Sequence, residues 1–403
     1  MPALPTAADR TFSCTLKVNG EVDPSMLNCI KSLTVDEDLE VGSSCAVELE
    51  ACRNDDGSWP YLDDPNLQVW NRLTVLAAFA QQTEVVFDGY ISHVNCRSNE
   101  QQANMNVELR AVDASYQMNQ EDKSRIWRAL HYEDIAREVI AVYGFKPFIA
   151  DPPAGAEAPA QTAQRGSDHR FLRELARRRG YEFHVLGGNA YFRPRDLASA
   201  PQKLIAVHFG DQTNCEHIEF EADGTAPTLA QLSYFDALEG RAASSQAEDA
   251  GLAALGTEAL AARLAAAEVP PARRVARGLG FNSPAQATEY TAGMLRRHGF
   301  WVRATGTLDG LRYGRVLRSR KTVTVKGAGP LYNGLYYVRK VQHQLASRSY
   351  SMQFELLRNA LGRLGSEDFS GESPDAAGPA ALGPGIDSDA IEVADSGTRV
   401  LPA

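Results

Sequence analysis

Tyr332-Asn333-Gly334-Leu335-Tyr336-Tyr337-Val338-Arg339-Lys340-Val341-Gln342-His343-Gln344-Leu345, then Ala346-Ser347-Arg348-Ser349, then Tyr350-Ser351-Met352-Gln353-Phe354-Glu355-Leu356-Leu357-Arg358, is the stretch that decides the fold. Its last part alternates. Tyr350, Met352, Phe354 and Leu356 share one face, and Ser351, Gln353 and Glu355 share the other. Period two is the pattern of a half-buried antiparallel strand. The first part is rich in aromatic and β-branched residues, and the polar link between the parts can close a hairpin. Asn333-Gly334 marks a turn at its entry.

The pattern recurs near the other end. Phe87-Asp88-Gly89-Tyr90-Ile91-Ser92-His93-Val94 leads through a polar turn to Asn104-Met105-Asn106-Val107-Glu108-Leu109-Arg110. Met105, Val107 and Leu109 alternate as Met352, Phe354 and Leu356 do. The spacing from Gly89 to Met105 differs by two residues from that between Gly334 and Met352, which one hairpin turn absorbs. Two explanations stand at this point: a duplicated module, or two amphipathic hairpins with the alternation any such hairpin has.

The 403 residues supply material for two or three domains with sizeable cores. A net charge of −10 disfavours general affinity for nucleic acid or an anionic membrane. No apolar run reaches transmembrane length. The start, Met1-Pro2-Ala3-Leu4-Pro5-Thr6, lacks the basic and apolar regions of a signal peptide, so synthesis in a bacterial cytoplasm is expected. Cys14, Cys29, Cys45, Cys52, Cys96 and Cys215 contain no C-x-x-C pair. In a reducing compartment they are most simply small buried hydrophobes, with a disulfide framework as the alternative.

Residues 1–115 read as a first β region. Strands are predicted at 11–18, 30–36, 44–51, 73–80, 84–94 and 105–112, with turns at Asn19-Gly20, Asn54-Asp55-Asp56-Gly57 and Asp63-Asp64-Pro65. Residues 116–200 read as an α+β insert. It holds a helix over 131–143 closed by Gly144, a Pro/Ala/Gly/Gln loop over 151–166, a helix capped by Ser167 and stopped by Gly180, and a hairpin turning at Gly187-Gly188-Asn189. Residues 201–362 read as a second β region, with strands at 204–209, 217–234, 301–304, 315–317 and 321–326 before the closing hairpin. It carries a helical insert, 237–298. The Ala-rich part of that insert, 237–272, is expected as a peripheral helix or a mobile stretch, and its last helix opens with the capping box Ser283-Pro284-Ala285-Gln286. Residues 363–403 read as a flexible Gly/Pro/Ala tail; eight acidic residues and one basic residue lie between Gly365 and Ala403.

Patterns that carry chemistry are sparse. Neither Gly-x-Ser-x-Gly nor a Walker loop occurs. Gly278-Leu279-Gly280 precedes a helix but lacks the third glycine of a dinucleotide fingerprint. His208, Cys215 and His217 cluster without a standard zinc spacing. Asp55-Asp56 and Asp63-Asp64 suit turns better than a glycosidase pair. Arg177-Arg178-Arg179 and the set Arg312, Arg315, Arg318, Arg320 and Lys321 are basic spots on an acidic chain. They read as solvated faces, or as a polar lumen or an interface with acidic neighbours. No catalytic, cofactor-binding or metal residue is assigned, no cofactor is expected, and the chain is not read as an enzyme.

Ser167-Asp168-His169-Arg170-Phe171-Leu172-Arg173-Glu174-Leu175-Ala176, followed by Gly180-Tyr181-Glu182-Phe183 and Tyr191-Phe192-Arg193-Pro194, resembles the signature of the phage late control protein D family. That family forms baseplate hubs of contractile tails. It is similar to the hub half of type VI secretion spike proteins and to hubs of extracellular contractile injection particles. Trp301-Val302-Arg303-Ala304-Thr305-Gly306 and Gly334-Leu335-Tyr336-Tyr337-Val338 match as well. The resemblance covers residues 11–362, and the Ala-rich stretch 237–272 departs from it.

The resemblance implies a mainly β chain with two tandem small β-barrels, the α+β insert, and a homotrimer that presents six similar barrels as a ring. A six-fold inner tube would dock on that ring, and a three-fold spike on its other face. The implied partners are the chain itself, a tube initiator, a separate trimeric spike and other baseplate proteins, with no membrane and no specific nucleic acid. Residence would be in the assembled particle. A particle-borne cell-wall glycan hydrolase and a stand-alone carbohydrate-binding β protein are the alternatives, and both need a pocket or exposed loop aromatics that the sequence does not mark.

Overall fold

Alternating apolar residues build the leading half from six strands: β1 (Phe12–Val18), β2 (Ile30–Asp38), β3 (Gly42–Cys52), β4 (Arg72–Phe79), β5 (Gln82–Ser98) and β6 (Asn104–Asp113). The structure, a computed structural model, describes residues 12–22, 26, 29–52, 57–59, 61, 64–80, 82–98, 104–236, 239–281, 283–346, 349–367 and 369. The turn expected at Asn54–Gly57 and the tail expected at 363–403 lie almost wholly outside these residues.

The insert follows. β7 (Asp122–Arg128), α1 (Tyr132–Val142), β8 (Lys146–Ile149), β9 (Gln161–Ser167), α2 (Asp168–Arg179), β10 (Glu182–Leu186) and β11 (Asn189–Arg193) surround a core of Trp127, Ile135, Phe171, Leu172, Leu175 and Phe192. Ser167 caps α2 by accepting the Arg170 N–H at 3.3 Å, and Gly180 ends it in the left-handed region at φ 69°. The loop expected over 151–166 ends in a strand instead. β9 pairs with β7, which periodicity did not mark because its residues are mostly polar and exposed.

The trailing half contributes β12 (Gln202–Ala206) and β13 (Cys215–Ala222). A side unit comes next: β14 (Leu229–Asp236), β15 (Arg241–Ala247), α3 (Leu260–Ala266), β16 (Arg273–Phe281) and α4 (Pro284–His298). Then come β17 (Val302–Asp309), β18 (Thr322–Lys326), β19 (Gly334–Ala346) and β20 (Ser349–Arg358).

Residues 237–298 are therefore not simply helical. β15 and β16 flank β14 in a three-stranded sheet, and α4 lies across it. Alanine is the best helix former, but intrinsic propensity is weak, and pairing with a formed strand overrides it. The strand expected over 217–234 breaks at Asp223-Gly224 into β13 and β14, which belong to different sheets. Arg315–Leu317 forms no strand, although Val316 and Leu317 are buried.

The strands of the two halves join into one large curled, mainly antiparallel sheet, and those of the insert form two small sheets of their own. Across the leading half the order is β1-β4-β5-β6-β3-β2, and across the trailing half it is β12-β18-β19-β20-β17-β13. Numbered along each half, both orders run first, fourth, fifth, sixth, third, second. Irregularities coincide too. An extra residue bulges from the second strand of each half, Lys31 and Glu216, and from the fifth strand of each, Ser92 and Arg339.

Before each fourth strand stands a residue with positive φ, Trp70 at 70° and Arg320 at 62°. Their N–H groups donate to Ile91 and Val338, the residues just before the two fifth-strand bulges. Aligned on the bulges, Val107, Leu109 and Ala111 correspond to Met352, Phe354 and Leu356. The match of Met105 with Met352 is thus correct in phase but two residues out in register. The halves differ at their first strands: β1 runs antiparallel to β4, and β12 parallel to β18.

The inward residues of β20 are all buried: Tyr350 3%, Met352 0%, Phe354 4% and Leu356 0% exposed. Each such side chain contributes about 1.5–3 kcal/mol of transfer free energy. They belong to one apolar core shared by both halves.

Candidate assembly interface

The halves are joined by a strand that serves both. β19 is 13 residues long. Gly334–Tyr337 pair with β18, and Lys340–Leu345 run on to pair with β2 of the leading half. On the inner face Val341, His343 and Leu345 stand opposite Glu37, Val35 and Leu33, all buried. On the outer face Gln342 Nε2 donates to Asp36 Oδ1 at 2.9 Å, and Lys340 Nζ lies 3.8 Å from the same oxygen. A basic fifth strand thus zips onto an acidic second strand.

A clamp locks this seam. Arg318 Nη1 donates to Glu37 Oε1 at 2.7 Å and to the Val86 carbonyl at 3.2 Å, and Nη2 donates to the Val85 carbonyl. The Ser319 N–H gives Glu37 Oε2 a further bond at 2.9 Å. Burial alone would raise the Glu37 carboxyl, but Arg318, His343 and that N–H hold it below its ordinary value. His343 Nδ1 lies 2.8 Å from the Tyr350 hydroxyl, and Nε2 lies 3.8 Å from Glu37. Burial, with Arg318 adding to it, pushes the imidazole down to about 4. Tyr350 in turn stacks on Phe12 at 5.2 Å, carrying the trailing hairpin onto β1.

The basic spots divide between these roles. Arg318 and Arg320 bind the seam within the chain, Arg320 through the Asp38 carbonyl. Arg312 pairs locally with Asp309 at 3.2 Å. Arg177 reaches Glu40 at 3.2 Å, Arg178 pairs with Glu174 at 2.6 Å, and Arg179 forms a buried pair with Glu133 at 3.1 Å.

Gly278-Leu279-Gly280 lies within β16 and not in a phosphate loop. Cys215 is buried and its thiol donates to the His217 carbonyl at 3.2 Å, while His208 and His217 are exposed. Among the described residues no three His, Cys, Asp or Glu side chains are grouped to hold a metal. Asp64 caps the turn Pro65–Leu67 by accepting the Asn66 N–H at 2.8 Å; Asp55, Asp56 and Asp63 lie outside the described residues. Cys14, Cys29, Cys45, Cys96 and Cys215 are free thiols, and burial drives Cys14 to about 11. No described helix is long and apolar enough to cross a membrane.

Sequence reasoning missed Glu37, because its partner Arg318 lies 281 residues away. Among the ladder edges without strand partners in the described residues are β5 beyond Ile91 and the outer side of β13.

A mainly β fold built on such a sheet is that of solved phage tail proteins. The chain is similar to the 43 kDa tail protein of prophage MuSo2 from Shewanella oneidensis, at 12% identity and a TM-score of 0.61, over 87% of this chain and 100% of that one. It is similar to the tail protein from Neisseria meningitidis, at 11% identity and a TM-score of 0.59, over 86% and 97%. A chain of the lidded Francisella PdpA–VgrG complex matches at 10% identity and a TM-score of 0.52, over 88% of this chain and 54% of that one. No curated protein sequence matches. By sequence, residues 8–347 match the family described as the Alg8 N-terminal domain, and the chain belongs to that family.

Proposed function

We propose that this protein is a structural baseplate hub of a contractile tail or injection particle. Three copies form a ring of six β-barrel modules, two per chain, that adapts a six-fold inner tube to a three-fold spike and nucleates tube growth. Residues 1–115 and 201–362 are the two hub domains, and 116–200 is an appended α+β domain. No catalytic role is assigned.

One observation carries this reading: a single chain repeats one strand order with matching bulges. A repeat inside a protomer lets a three-fold assembly imitate a six-fold one. The tail-protein fold of its structural neighbours supports the setting.

Light scattering after gel filtration tests the stoichiometry, and electron microscopy with tube and spike subunits tests the role. A mass three times that of the chain, and tubes seeded on hub–spike complexes, are expected. A chain that stays monomeric at high concentration and joins neither partner overturns the proposal.

A further inference from the structure

The seam between β19 and β2 is a template for a second seam that one chain cannot close. β19 is the fifth strand of the trailing half, and β2 is the second strand of the leading half. The complementary pair is the fifth strand of the leading half, β5, and the second strand of the trailing half, β13. Both have an open edge at the corresponding place. Among the described residues, β5 is covered by β4 only up to Tyr90, and β13 pairs with β17 alone.

The geometry points to β5 of one protomer pairing antiparallel with β13 of a second copy of this chain. This rests on the ring proposed above and names the surface that closes it. The register follows from the bulge alignment. In the internal seam Lys340 faces Asp38, Val341 faces Glu37, Gln342 faces Asp36, His343 faces Val35 and Gln344 faces Thr34. The equivalent positions put His93 opposite Asp223, Val94 opposite Ala222, Asn95 opposite Glu221, Cys96 opposite Phe220 and Arg97 opposite Glu219.

The side chains at these positions fit. Arg97 is 69% exposed, and Glu219 and Glu221 are exposed, so an acidic second strand again meets a basic fifth strand. Arg97 now lies 3.4 Å from Glu108, which keeps Arg110 at 2.6 Å when Arg97 turns away. Val94 and Cys96 on one edge, and Ile218 and Phe220 on the other, are half-buried against the core, where their counterparts in the closed seam are fully buried. The second strands end alike. Asp38 accepts the Glu40 N–H at 2.7 Å and Asp223 accepts the Thr225 N–H at 2.8 Å. Trp70 takes the place of Arg320, which touches the end of β2, and it stays 43% exposed in the single chain. An exposed tryptophan beside an open ladder is a typical interface anchor.

The test uses the full-length protein. Directly opposed antiparallel residues have Cα atoms about 4.5–5.5 Å apart, within disulfide reach. Phe220→Cys under mild oxidation is expected to link to the native Cys96 of the next chain, giving covalent dimers and trimers that Cys96→Ser abolishes. Arg97→Glu is expected to weaken self-association at least tenfold, and adding Glu219→Arg to restore it to within about threefold. Trimers that form no such link, or whose loss in Arg97→Glu is not reversed by Glu219→Arg, overturn this seam and leave the hub proposal standing. A chain that remains monomeric with tube and spike subunits present overturns both.

Discussion

His343 is a fully buried imidazole set between the Tyr350 hydroxyl and the Glu37–Arg318 pair. Its folded pKa of about 4 lies below the ordinary 6.5, so the unfolded chain takes up the proton first. The stability this neutral ring contributes is complete above pH 6.5 and declines as the pH falls towards about 4. The depressed Glu37 carboxyl acts in the same direction at lower pH. Thermal unfolding is expected to lose on the order of 3 kcal/mol of stability across that window. His343→Gln should flatten the slope, and an unchanged profile in that variant would remove the histidine as its cause.

Arg358 makes a different demand. It is 0% exposed and donates to the carbonyls of Leu255, Leu331, Asn333 and Gly362. Arg358→Met leaves those acceptors orphaned and should cost roughly 3 kcal/mol or more, read from the urea midpoint. Arg358→Lys should recover little, because an ammonium lacks the planar fork that spans four acceptors.

At the scale of elements, α2 and α4 meet through glycines. A Cβ on Gly293 would lie 2.5 Å from the Arg178 carbonyl, and one on Gly180 would lie 2.7 Å from the Gly293 carbonyl. Arg296 fastens the same crossing by donating to the Arg179 carbonyl at 3.0 Å. Gly293→Val must part the helices, with an expected loss of about 1–3 kcal/mol in thermal or chemical unfolding. Full stability in that variant would show that the contact is not tight.

Elements were legible where side chains alternate or cap. All six leading strands, the Ser167 and Ser283 caps and the closing hairpin follow from local pattern. β7, β9 and β15 escaped because their residues are polar or alanine, and only a neighbouring strand makes them extended. Val316 and Leu317 looked like strand residues because they are buried, yet a clamp and not a ladder holds that segment. For the site, the arginine run pointed to an acidic interface. The acid that Arg318 meets, Glu37, lies in β2, and no local spacing reveals it.

At the scale of the molecule, the long arm of β19 makes the halves one body with one core. Gln342 and Asp36, which meet in that seam, are 306 residues apart in sequence. Closing so long a loop costs more chain entropy than the local pairings on either side of it. The shared strand order could not be seen in the sequence beyond one hairpin, because equivalent positions keep their polarity but seldom their residue.

The likeness of the halves stops at their outer rims, where β1 runs against its neighbour and β12 runs with it. In a closed hexagon of such units, every second corner would carry the reversed strand. If three copies close such a ring, a visitor that touches only the inner strands would meet six equal berths, whereas one that grips the rim would count no higher than three.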